Sequence, residues 1–144
     1  MPLLECRDVY VTYGKGSQVL HAVKGVSLNV EPGEIVGLVG ESGCGKSSLG
    51  RAAIGLTPMA SGSILFDGFS VNEASKSEQK KIRGNNYKNS KGNLVIDFSV
   101  PEATMSLVEI CQDHCKAMVI GTTGFNDNQI NFIFSSADNL LLIL

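Results

Sequence analysis

No run of basic residues interleaved with aromatics occurs in the 144-residue chain, and the formal net charge is −2. The electrostatic footprint of a nucleic-acid binder is therefore missing, and no nucleic-acid partner is expected. No apolar run approaches the roughly eighteen residues of a membrane-spanning helix. The opening Met-Pro-Leu-Leu-Glu-Cys-Arg-Asp lacks the basic-then-apolar order of a secretory leader, so a cytoplasmic location is the expectation. Cysteine is sparse: Cys6, Cys44, Cys111 and Cys115 make up the complement. In a reducing compartment these stay thiols, which excludes a disulfide framework. Cys111, His114 and Cys115 fall at i, i+3, i+4 on a predicted helix, but a tetrahedral metal site needs a fourth ligand and a second pair, and neither is visible. Buried thiols on an apolar helix face are the reading. With 43% hydrophobic and 18% charged residues, the chain has the composition of an ordinary globular protein, either one domain or two small ones.

What is present is concentrated at Gly40-Glu41-Ser42-Gly43-Cys44-Gly45-Lys46-Ser47, which fits the pattern G-x-x-x-x-G-K-[ST]. The apolar stretch Glu34 to Val39 reads as a buried strand feeding the loop, and Lys46 to Gly55 reads as the helix leaving it. In that setting the backbone N–H groups from about Gly43 to Ser48 converge on an anion at a helix N-terminus, where the dipole favours negative charge. Gly40, Ser42, Gly43, Cys44, Gly45, Lys46, Ser47 and Ser48 are the candidate contacts to a nucleotide's phosphates. Lys46 supplies a point charge for the β- and γ-phosphates, and Ser47 a hydroxyl for Mg²⁺. Cys44, beside Lys46 and the helix N-terminus, sits where a thiolate is favoured, which predicts sensitivity to alkylation without a catalytic role.

Upstream, Leu3 to Val11 and Val26 to Val30 alternate apolar and polar residues as half-buried strands do. Downstream, Ser63 to Phe66 is a short strand closed by the turn pair Asp67-Gly68, and Ser77 to Arg83 reads as a short helix stopped by Gly84. The segments Leu3 to Val9, Val23 to Ser27, Glu31 to Glu34, the glycine loop, Ser61 to Gly68 and Glu78 to Gly84 together resemble the N-terminal part of an ABC-transporter ATPase of the oligopeptide/dipeptide importer branch. The resemblance implies that Tyr13 stacks on adenine, a contact that needs only a π-face. It also implies ATP and Mg²⁺ as ligands, a membrane permease subunit and a second ATPase as partners, and a place beside the membrane only through that permease.

The resemblance stops near Gly84. A Leu-Ser-Gly-Gly-Gln signature, a Walker-B carboxylate pair and a switch histidine do not occur between Gly84 and Leu144. Phosphoryl transfer rests on positioning and charge neutralisation, so these residues support binding ahead of turnover, and no catalytic residue is assigned. Asp97, closing the apolar run Asn93 to Ile96, is the one residue that could hold the Mg²⁺ water shell opposite Ser47, but Phe98 follows it where a glutamate belongs.

From Leu94 the pattern is βαβαβ. Leu94 to Phe98 is a strand, and Ser99-Val100-Pro101-Glu102 is a capping box with proline in the first turn. Thr104, Leu107, Val108, Cys111 and Cys115 then recur at helical spacing. Ala117 to Ile120 is a second strand and Gly121 to Gly124 a tight loop. Asn128 to Ser136 is a helix with Ile130, Ile133 and Phe134 on one face, and Leu140 to Leu144 a third, apolar strand. Val95 to Thr104 and Met118 to Phe125 resemble the middle of the cofactor domain of dihydrodipicolinate reductase, which implies that Gly121, Thr122, Thr123 and Gly124 lie against the nicotinamide end of NAD(P)H. That family's pyrophosphate loop, substrate domain and catalytic histidine and lysine are not matched here.

The expected fold is α/β: the N-terminal half of a P-loop NTPase, with an antiparallel edge plus P-loop strand and helix, followed by a half-Rossmann segment. The expected division is 1–84, a polar junction over 85–92, and 93–144, a chimera of two truncated pieces. Three functional readings are open. The first is Mg-nucleotide binding through the P-loop, as in the ATP-binding subunit of a peptide importer. The second is an NAD(P)H-binding remnant acting through Gly121 to Gly124. The third is a chimeric fragment without biochemical function. One further arrangement has the C-terminal parallel strands beside the P-loop strand in one sheet.

Overall fold

The structure, a computed structural model, describes residues 1–80 and 94–142. Its strands form two four-stranded sheets, one antiparallel and one parallel.

In the first sheet β1 (Leu4–Lys15) and β2 (Gln18–Val30) form a long hairpin, with Lys15 paired to Gln18 across the turn. Both strands outrun the alternation that marks them in sequence, because Tyr13 to Lys15 and Gln18 to His21 are exposed and leave no period-2 burial signal. The P-loop strand β3 (Ile35–Val39) belongs to the other sheet. β4 (Ser61–Phe66) pairs with β1, and β5 (Phe69–Ser70) returns through Asp67-Gly68 as the turn chemistry predicts, giving the order β2-β1-β4-β5. Residues 76–80 are helical, and the rest of the expected Ser77–Arg83 helix lies outside the described residues, as does the junction over 85–92.

In the second sheet β6 (Leu94–Asp97) pairs with β7 (Ala117–Ile120), and β3 lies between β7 and β8 (Asn139–Leu142), giving the order β6-β7-β3-β8. The βαβαβ order after residue 93 is as expected, but the P-loop strand occupies the slot between its second and third strands. The physical reason is that an all-apolar strand such as Ile35–Val39 needs both backbone edges paired and both faces covered. Asp138 secures the join: its backbone N–H donates to Ile35 O at 2.9 Å, and its carboxylate accepts the Ile35 N–H at 2.8 Å.

Period-2 alternation divides these strands between two cores. Val36, Leu38, Leu94, Ala117 and Val119 join Leu49, Ala52 and Ala53 of α1 (Lys46–Ala53) and the inner face of the first sheet. Ile35, Met118 and Ile120 point the other way. They meet Val108 and Cys111 of α2 (Pro101–Asp113) and Ile133 of α3 (Asp127–Ser136).

Three local expectations are corrected. The Ser99 capping box is not made: Val100 is the N-cap of α2, no side chain caps it, and the Ser99 N–H donates instead to Asp97 Oδ1 at 3.0 Å. Cys115 is not on the helix with Cys111, since the C-cap of α2 is His114 and Cys115 turns out at φ 49°. On α3 only Ile133 is buried, with Ile130 and Phe134 exposed. That helix starts at Asp127 under an Asn126/Gln129 capping box that the apolar spacing does not reveal.

Candidate functional site

The loop between β3 and α1 is shaped by glycine. Gly45, the N-cap of α1, sits at φ 99°, and a Cβ there would lie 2.0 Å from the carbonyl oxygen of Ala22. The helix therefore starts hard against β2, and its first-turn N–H groups, which have no intrahelical acceptor, face the loop. Lys46 follows at once with only 6% of its surface exposed. A buried ammonium needs acceptors for all three protons. It donates to Gly40 O at 2.7 Å, Glu41 O at 2.8 Å and Cys44 Sγ at 3.2 Å. The cation is thus fixed over the loop by the loop's own atoms.

A cavity of about 330 Å³, within the range of small-ligand sites, opens above it. The P-loop side is lined by Ser42, Gly43, Gly45, Lys46, Ser47 and Ser48. The β1–β2 hairpin adds Tyr13, Leu20, His21 and Ala22, and the strand ends beyond β6 and β7 add Phe98, Ser99, Gly121, Thr122 and Thr123. The Tyr13 hydroxyl donates to Ser48 Oγ at 3.1 Å, which sets its ring beside the start of α1. The Ser48 hydroxyl, able to donate in turn to the phenolate, is the first cause holding the Tyr13 phenol below its ordinary range. Gly40 and Gly124 do not line this cavity. They border an adjoining apolar one of about 380 Å³, shared with Lys46, Thr122 and Thr123 and walled by Phe125 and Phe134. Cys44 lines neither, its thiol being turned to Lys46.

Asp97 does not face Ser47. Alternation along β6 sends its side chain to the sheet face that carries α2, opposite α1, where it is buried. Thr104 of α2 and Thr122 both donate hydroxyl protons to Oδ2, the latter at 3.0 Å, while the Gly121 N–H donates to Asp97 O at 2.8 Å. Burial acts to raise the carboxyl pKa, but the hydrogen bonds from Ser99, Thr104 and Thr122 outweigh it and hold the group below the usual carboxylate range. Phe98 turns to the other face, where its ring is wedged between Gly50 of α1 and Gly121. Cys111, His114 and Cys115 are not assembled into a site, and among the described residues no group of three His, Cys, Asp or Glu could hold a metal ion.

Sequence reasoning finds the loop residues, Tyr13 and the 121–124 loop but not their convergence on one cavity. It misses Leu20 to Ala22, which lie on a largely solvent-exposed stretch with no motif, and Ser99, which reads as a helix cap.

Loop, strand order and cavity define an α/β protein of the P-loop class. The ABC transporter family profile matches residues 23–126, running across the stretch between the two segments. The oligopeptide transport ATP-binding protein AmiF of Streptococcus pneumoniae is 43% identical over 77 residues, 54% of this chain and 25% of its own length. OppF of Streptococcus pyogenes is 43% identical over 81 residues, 56% of this chain and 26% of its own. Among solved structures, cbiO1 from Clostridium perfringens, part of the ABC transporter complex cbiONQ, superposes with a TM-score of 0.73 at 16% identity over 99% of this chain and 84% of that one. A nucleotide-free ATP-binding cassette from an ABC transporter gives 0.70 at 11% identity over 100% and 88%. These last two are likenesses of fold. The chain belongs to the ABC transporter family, and it spans about a quarter of the length of the curated relatives it matches. Among the described residues no helix is long and apolar enough to cross a membrane.

Proposed function

We propose that this chain binds Mg-ATP over Gly40 to Ser48 and serves as the nucleotide-binding part of a peptide-importing ABC transporter. The observation that carries the reading is the buried Lys46 ammonium, held at the mouth of a cavity whose floor is the N-terminus of α1. Polyphosphate oxygens fit this donor set: the first-turn amides, the Lys46 charge and the Ser47 hydroxyl. The Ser47 hydroxyl would hold a Mg²⁺ ion bound with the nucleotide, and the ion would supply charge neutralisation there. Tyr13, on the hairpin side, is the face for adenine. Among the described residues no Asp or Glu lines the cavity, which favours binding over hydrolysis. The peptide substrate class comes from the oligopeptide transport ATP-binding proteins that the chain is similar to, and a permease, a second ATPase and a cytoplasmic place at the membrane follow from reading it as such a subunit.

A thermal melt tests the reading. At a hundredfold excess over Kd, ligand linkage contributes about 2.7 kcal/mol, a rise in Tm of roughly 5–10 °C for a chain of this size. An unchanged Tm with saturating Mg-ATP rejects it, and if the NADH titration below is flat as well, the reading left is a fragment without biochemical function. The second reading, NAD(P)H held by Gly121 to Gly124, draws on the apolar cavity that Thr122 to Gly124 share with Phe125 and Phe134. NADH fluorescence that rises on mixing and is lost in Thr123→Val, whose residue is exposed, supports it, and a flat titration ends it. The division into 1–84, 85–92 and 93–144 is carried by the two sequence resemblances, whereas the family match across residues 85–92 favours one continuous origin. Sequencing the genomic region across codons 80 to 95 decides between them.

A further inference from the structure

The residue most easily mistaken for a metal ligand in this site is fully occupied elsewhere. Both Asp97 carboxylate oxygens accept protein hydrogen bonds: Oδ1 from the Ser99 N–H, and Oδ2 from the Thr104 and Thr122 hydroxyls. The Thr104 and Thr122 oxygens also lie 3.0 Å apart. Each hydroxyl has one proton, so with Asp97 ionised both protons go to Oδ2, and the close approach of the two threonines results from sharing that acceptor. Thr104 is fully buried, Thr122 is 6% exposed and Asp97 5% exposed, so the cluster is a closed internal clamp.

The clamp grips the segment that reaches the phosphate loop. Thr122 is its outermost member, and it lines the cavity together with its neighbours Gly121 and Thr123. The β3–β7 ladder pairs Gly37 with Ile120. Gly40 and Thr123 lie beyond that ladder, and together with Lys46 they border the adjoining cavity. Gly40 O is one of the acceptors holding Lys46 Nζ. Tyr13, hydrogen-bonded to Ser48, lines the same cavity as Lys46 and Thr123. With adenine on Tyr13, as proposed above, a triphosphate has both Lys46 and the 121–123 segment in the same cavity to meet its last phosphoryl group.

We propose that Asp97 is a positioning residue, which acts through Thr122 to hold Thr123 as the contact for the terminal phosphate of a nucleoside triphosphate, and that it is not a magnesium ligand. The proposal rests on the reading of the loop as a nucleotide site. Its signature is discrimination between tri- and diphosphate, because ADP keeps the P-loop contacts and lacks the group Thr123 meets.

The test is calorimetry of ATP and ADP with the full chain, each with Mg²⁺ and with EDTA, on the parent, Thr123→Val, Thr122→Val, Thr122→Ser and Asp97→Asn. Thr123 is exposed, so its variant keeps the fold. Expected are a parent preference for ATP, a loss of ATP affinity of about tenfold in Thr123→Val and Thr122→Val with ADP affinity within about twofold, and recovery in Thr122→Ser. Asp97→Asn is expected to lower ATP affinity while the tightening produced by Mg²⁺ stays as in the parent. Equal binding of ATP and ADP by the parent, an unchanged ratio in Thr123→Val, or loss of the Mg²⁺ effect in Asp97→Asn overturns the proposal and leaves the nucleotide site standing. No binding of either nucleotide by the folded parent brings down the site itself.

Discussion

Phe98 ties the strand ends of the second segment to the helix of the first, and the tie has a measurable strength. A Cβ added at Gly121 would sit 1.9 Å from Phe98 Cε1, and one added at Gly50 would sit 2.2 Å from Cε2. The ring cannot retreat from one glycine without closing on the other. Gly121→Ala is therefore an overpacking change, expected to cost about 2–3 kcal/mol. Gly50→Ala meets the same ring but also gains helix propensity of about 1 kcal/mol in α1, so its net cost is about 1–2 kcal/mol. In a Phe98→Ala background the obstruction is gone. Gly121→Ala becomes nearly neutral there, and Gly50→Ala changes sign and stabilises by about 1 kcal/mol. With no tryptophan in the chain, urea unfolding is followed by far-UV circular dichroism. A coupling of about 2–3 kcal/mol in each double-mutant cycle is the expected result. Neutral alanines in the parent, or costs that persist without Phe98, refute the wedge and with it the packing of residues 94–142 on the P-loop helix.

Two further predictions concern ionisable groups. Because the folded pKa of Asp97 lies below that of an unfolded aspartate, about 3.9, its contribution to stability is complete above that pH and is lost as pH falls through the folded value. The acid limb of the stability curve is accordingly shallower in Asp97→Asn, and an identical acid limb would count against the clamp. Among the thiols, burial first and then the charge of Glu5 push Cys6 up to about 12, and burial with the nearby Asp97 raises Cys111. Mass spectrometry after brief iodoacetamide treatment at neutral pH should find label on Cys44 and Cys115, with Mg-ATP slowing Cys44, and early label on Cys6 would contradict the packed core.

Local chemistry wrote much of this fold legibly into the chain. The strand–loop–helix unit, Asp67-Gly68, the Ala117–Ile120 strand and the tight loop after it are readable because turn residues and apolar runs report on their own immediate backbone. Which strands flank Ile35–Val39 is not readable as a unique answer, since β7 and β8 reach it from about 80 and 100 residues away in the ladder and their apolar sequences suit either neighbour. The direction of Asp97 is recoverable in principle. It shares parity with Val95 on β6, and its neighbour Phe98 falls on the face of α1. Ser99 misleads because the capping pattern is local, while the acceptor that takes its N–H is set by how β6 ends.

Lys46 is where the nucleotide site is most exposed to refutation. Isothermal titration of the full chain with Mg-ATP, parent against Lys46→Ala, with circular dichroism recorded on both, is the decisive measurement. Saturable heat in the parent that vanishes in a variant of unchanged spectrum is the predicted result, and equal heats in the two proteins, or none in a folded parent, would contradict it.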